Sequence, residues 1–96
     1  TPSQESERPV TFSLQQNYPN PFNPSTTIPF ELAESGFTTL KVYDVLGREI
    51  TSLVSAKLDR GTHRVEWNAS SQPSGVYFCR LVTEKGTMCR KMMVVR

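Results

Sequence analysis

Apolar and polar residues alternate along this chain with a period of two, and the alternation restarts after each cluster of turn-forming residues. Val10, Phe12 and Leu14 alternate with Thr11, Ser13 and Gln15; Ile28, Phe30 and Leu32 with Thr27, Pro29 and Glu31; Leu40 and Val42 with Lys41 and Tyr43; Val65 and Trp67 with Arg64 and Glu66; Tyr77, Cys79 and Leu81 with Val76, Phe78 and Arg80. A pleated strand sends successive side chains to opposite faces, so each run predicts a strand with one buried face. Turn signals fall at residues 33–36, 45–47, 59–61, 70–75 and 84–86. Short strands broken roughly every ten residues predict an antiparallel sandwich or barrel. Seven strands are expected, near residues 10–16, 26–32, 37–44, 48–54, 62–69, 75–83 and 87–95. Pro29 has no N–H for a ladder, so its strand is expected at an edge or bulged. No segment keeps a 3.6-residue period; Ile50, Leu53 and Val54 come nearest and fit a strand ending in a turn.

Composition narrows the function. The chain has 96 residues, enough for one domain. A net charge of +2, with no basic stripe, argues against nucleic acid and against a disordered polyelectrolyte. The longest apolar run is Met92-Met93-Val94-Val95, too short for a membrane-spanning helix. One histidine (His63), two aspartates (Asp44, Asp59) and two cysteines (Cys79, Cys89) supply little for catalysis. No nucleophile elbow, zinc-ligand spacing or glycine-rich phosphate loop is present, so no catalytic residue, metal or cofactor is expected. The opening TPSQESERP is polar and lacks an initiator Met, which reads as a linker over residues 1–9 within a longer protein, with the folded domain over 10–96.

Residues 17–25, NYPNPFNPS, carry three prolines that fix φ and remove three donors. They predict a stiff crossover whose Tyr18 and Phe22 cap the end of the sandwich, in preference to a proline-motif ligand for an aromatic groove. Tyr18-Pro19 is a candidate cis bond. The cysteines depend on the last hairpin. A three-residue loop at 84–86, with Gly86 left-handed, sets Thr83 against Thr87 and puts Cys79 and Cys89 diagonally on one face, beyond disulfide reach; a five-residue loop sets them opposite each other. Free thiols are favoured. His63 reads as a surface residue, and Asn68-Ala69-Ser70 as a chance glycosylation sequon.

LQQNYPNPFNPSTTIPFEL, TTLKVYDVLGREI, GTHRVEWNAS, SGVYFCRL and RKMMVVR, in that order, resemble the C-terminal sorting domain of the type IX secretion system. The first four also resemble the immunoglobulin-like domain of the flagellar hook-capping protein. The resemblance implies an all-β, immunoglobulin-like antiparallel sandwich of about seven strands that acts as an address and not as an enzyme. Its implied partners are the outer-membrane translocon, its shuttle protein, a sortase-like peptidase and a cargo domain in cis. The cargo is expected in the periplasm in transit and then at the cell surface or in the medium.

Asn20, Pro21, Phe22, Asn23, Pro24, Tyr43, Asp44, Gly47, Trp67, Gly75 and Tyr77 match the structural motifs, with Gly47 and Gly75 in turns and Tyr43, Trp67 and Tyr77 packing the sandwich. Arg90, Lys91, Met92, Met93, Val94, Val95 and Arg96 match the terminal recognition motif. An edge strand there offers unpaired backbone groups to a partner or to a second copy of the chain, and its cations steer the encounter. Removing residues 92–96 is then expected to strand cargo in the periplasm. The rival readings are a structural module and a carbohydrate-binding accessory module; the latter needs a flat row of exposed aromatics, for which Phe22 and Phe37 are the candidates.

Overall fold

The computed structural model describes residues 12–95, which form seven strands: β1 (Phe12–Leu14), β2 (Ser25–Leu32), β3 (Gly36–Asp44), β4 (Glu49–Leu58), β5 (Gly61–Asn68), β6 (Gly75–Thr83) and β7 (Gly86–Val94). The expected linker, the start of the first strand at Val10, and Arg96 lie outside the described residues. All pairings are antiparallel, in a three-stranded sheet of order β1-β2-β5 and a four-stranded sheet of order β4-β3-β6-β7. The two sheets close on each other as an immunoglobulin-like sandwich.

The alternation in sequence builds the core. Leu14, Ile28, Phe30, Leu32 and Trp67 from one sheet meet Leu40, Val42, Tyr77, Cys79, Leu81, Met92 and Val94 from the other, all buried. Phe22 and Trp67 rings lie 5.6 Å apart, and Trp67 meets Tyr77 edge-on at 5.5 Å, closing one end of the sandwich with aromatic surface. The Tyr77 hydroxyl donates to the Pro73 carbonyl at 2.8 Å. This is the tyrosine corner of immunoglobulin-like folds, tying the loop before β6 to the core.

Four expectations are corrected. Pro29 lies on the central strand of its sheet, opposite Arg64 of β5. It is tolerated because its donor-less nitrogen faces the point where β1 ends: Gln15 N–H donates to Pro29 O at 3.0 Å, and Pro29 has no N–H to return the bond. β4 runs on to Leu58, and its register against β3 shifts twice, between Leu40/Lys41 and between Val42/Tyr43. Bulges at these places bring Ile50, Leu53 and Val54 towards the core despite their non-alternating spacing.

The last hairpin turns on two residues, so Thr83 faces Gly86, Cys79 faces Arg90, and Arg80 faces Cys89. A one-residue change of register moves a whole strand's side chains to the other face. The cysteines are therefore free and on opposite faces, Cys79 buried and Cys89 exposed. Finally, Tyr43 points away from the core. It lies on the outer face, with the Arg80 guanidinium 4.5 Å from its ring centroid.

Candidate recognition surface

The terminal strand divides by parity. Met92 and Val94 point inward and are buried, while Met93 and Val95 are 38% and 45% exposed and Lys91 is exposed beside them. Arg90 has the inward parity but stands at the open side of the sandwich, where its Nε donates to Leu14 O at 2.8 Å and joins the two sheets. Of the residues expected to recognise a partner, only Lys91, Met93 and Val95 thus share an outward row among those described.

The free edge of this strand is occupied. Gln16 Nε2 donates to Lys91 O at 2.8 Å, and Met93 N–H donates to Asn20 Oδ1 at 3.0 Å. Phe22 N–H donates to Met93 O, and Val95 N–H donates to Phe22 O, each at 3.0 Å, in a parallel bridge between Phe22 and Val94. The crossover is thus an extra, irregular strand clamped onto residues 91–95. Strand addition there, by a partner or a second copy, would have to displace it, which corrects the expectation of an open edge.

The clamp is held by its own side chains. Asn17, buried, donates through Nδ2 to Thr26 Oγ1 at 2.9 Å and to Pro19 O at 3.2 Å; Thr26 Oγ1 in turn donates to Pro19 O at 2.9 Å. Tyr18-Pro19, Asn20-Pro21 and Asn23-Pro24 are all cis. Ala69 N–H donates to Pro24 O at 2.8 Å, fixing the far end of the crossover to the loop after β5. Phe22 caps the sandwich as expected, but Tyr18 does not: it is 52% exposed. Gln16 and Asn17 escaped the sequence reading, although side-chain amides at 16, 17 and 20 beside three prolines were the available signal.

The turn between β3 and β4 is the other built feature at this end. Asp44 Oδ1 accepts from Leu46 N–H at 2.9 Å and Arg48 N–H at 3.0 Å, and Asp44 Oδ2 from Arg48 Nε at 2.8 Å. The Arg48 backbone N–H is the largest influence holding the Asp44 carboxyl below its ordinary value, aided by the Arg48 side chain and Leu46 N–H and opposed by partial desolvation. Gly47 takes φ +84°, the left-handed conformation that closes the turn, and Gly75 φ +150° at the start of β6. Val45 and Leu46 stand at the tip, 65% and 73% exposed.

His63 stacks on Phe30 at 5.3 Å and its Nε2 lies 2.8 Å from Asp59 O. Burial raises the Cys79 thiol to about 11, the inert behaviour of a core cysteine. The aromatics offered for a carbohydrate platform do not form one: Phe22 is buried, and the exposed Phe37 and Tyr18 fall at opposite ends of the sandwich.

Residues 16–95 match the model of the secretion system C-terminal sorting domain family. Eleven chains of solved structures match significantly. One is PorZ, an essential surface component of the type IX secretion system of Porphyromonas gingivalis, at 22% identity and a TM-score of 0.58. The alignment covers 98% of this chain and 12% of that one, so the chain corresponds in length to a small part of PorZ. No curated protein matches the chain significantly.

Proposed function

The chain belongs to the secretion system C-terminal sorting domain family, and from that premise we propose how it serves as the address of an attached cargo. The folded sandwich is the signal. The outer-membrane translocon of the type IX system and its shuttle protein read the end of the sandwich where the crossover clamps the terminal strand. The outward row Lys91, Met93 and Val95 is the part of the terminal motif offered to them. Met92, Val94 and Arg90 act by holding that row in place. Residues 1–9 connect the domain to cargo in cis and are the place where a sortase-like peptidase acts. The cargo passes from the periplasm to the cell surface or medium, and the domain itself does no chemistry.

The observation that carries this reading is the contact between the two most distinctive segments of the family pattern. NYPNPFNP and KMMVV are far apart in sequence, yet four backbone or side-chain bonds of 2.8–3.0 Å join residues 16–22 to 91–95. A segment needed only to join two strands would not have to be built this way. The test is export of a periplasm-directed reporter carrying the chain at its C-terminus, in a bacterium with a type IX system. The reporter is expected outside the cell in the parent strain and in the periplasm when the translocon gene is deleted. Equal export from both strains would defeat the reading.

A further inference from the structure

The turn of residues 44–48 joins a rigid scaffold to an apolar tip. Asp44 spends both carboxylate oxygens on three donors of its own turn, and Gly47 supplies the one backbone conformation the closure needs. What this bracing holds out into water is Val45 and Leu46, two of the most exposed large apolar side chains among the described residues. A lone exposed aliphatic residue is ordinary; a braced pair continuous with other apolar surface is not.

The tip is continuous in two directions. Val45 borders a depression of about 360 Å³ with Tyr43, Phe78, Arg80 and Cys89, on the outer face of the four-stranded sheet. It also borders one of about 310 Å³ with Ile50, Pro73, Val76 and Tyr77, between the turn and the loop before β6. Charge on this face is unbalanced. Lys41 pairs with Glu49 and Arg48 with Asp44, whereas Arg80 lies over Tyr43 and Lys91 stands across from Phe78, neither within ion-pair distance of a carboxylate among the described residues.

We propose that the β3–β4 turn is a second docking element of the domain: Val45 and Leu46 enter an apolar socket of a protein partner whose rim carries a carboxylate facing Arg80. The inference rests on the reading that the secretion machinery recognises this domain, and adds a contact separate from the terminal strand. A preorganised tip loses little conformational freedom on binding, which is how a small contact contributes usable affinity. The two depressions can receive side chains from a protein, and a lipid surface offers none.

The experiment compares three forms of the chain fused behind the reporter: the native sequence, Val45→Ser with Leu46→Ser, and Lys91→Glu with Met93→Ser and Val95→Ser. Both exposed turn residues can be changed without touching the Asp44 bracing, so the midpoint of thermal unfolding should stay within about 4 °C of native. Leu46→Ser alone serves if the double variant unfolds early. Export of the turn variant should fall about tenfold, as loss of one or two central apolar anchors predicts, while Leu46→Met keeps native export. Native export of the folded turn variant, with the terminal-row variant retained in the cell, overturns the turn proposal and leaves the sorting reading standing. Native export of both defeats the two together. The isolated chain should not float with vesicles of phosphatidylethanolamine and phosphatidylglycerol; flotation that the turn substitutions abolish would replace the protein socket with a membrane.

Discussion

Replacing Phe22 by alanine tests whether the crossover is a structural clamp or a mere connection. The Phe22 side chain is 2% exposed, and its ring meets Trp67 at 5.6 Å, while its backbone bridges Val94. Returning a buried phenylalanine's surface to water costs about 1.5–3 kcal/mol. The unfilled cavity and the lost aromatic pair bring the total to about 3–5 kcal/mol. Phe22 sits at the end of the sandwich, where neighbours can partly collapse, so the lower figure of about 3 kcal/mol is expected. With a urea dependence of about 1–1.5 kcal/mol per molar, the unfolding midpoint falls by about 2–3 M. Phe37→Ala, at a side chain 51% exposed, is the control and should change stability by less than about 0.5 kcal/mol. Native hydrogen exchange supplies the second readout. The Met93 and Val95 amides bond to Asn20 and Phe22, so they should lose more protection than the Leu40 amide in the sheet interior. A loss of stability below about 1 kcal/mol, or unchanged protection at Met93 and Val95, would refute the clamp.

Two further outcomes follow from the cysteines and from Asp44. With Cys79 buried and raised to about 11 and Cys89 exposed, one thiol per native chain should react with a thiol reagent at pH 8 and both after denaturation; two fast thiols, or none, would contradict the hairpin register. A carboxyl held below its ordinary value of 3.8 stabilises the fold above that pH, and the contribution is lost as pH falls through the native value. The difference in melting temperature between native chain and Asp44→Asn should therefore be constant above about pH 5 and shrink in more acidic solution; a difference that grows on acidification would refute the bracing of the turn.

The strands were legible because alternation is a local property: all seven were expected, and β6 matches its expected bounds from Gly75 to Thr83. Where the alternation was interrupted, non-local structure had taken over. Ile50, Leu53 and Val54 break the period because bulges absorb extra residues against β3. Loops of three and of five residues both put the cysteines on one face, whereas the observed two-residue turn has the opposite parity. Taking Met92 and Val94 as core partners of Tyr77 and Gly75 would have selected the observed register. Tyr43 is expected in the interior as an aromatic, yet its own alternation with Val42 puts it outside.

The terminal motif was recognised as a segment, but its division into a buried and an exposed row depends on packing across the sandwich. The clamp was least visible of all. It depends on contacts between residues about 75 apart, such as Gln16 with Lys91, and the side-chain amides at 16, 17 and 20 do not by themselves identify the strand they hold.

The same division determines how the address should be tested. Deleting residues 92–96 removes Met92 and Val94 from the core, so failed export after that deletion would not distinguish an unread signal from an unfolded one. The direct measurement is the fraction of reporter outside the cell for Lys91→Glu with Met93→Ser and Val95→Ser, with folding verified by a native melting profile. This folded variant is expected to stay in the periplasm while the native chain is exported. Export of the variant at the native level would contradict the claim that the outward row of the terminal strand is what the machinery reads.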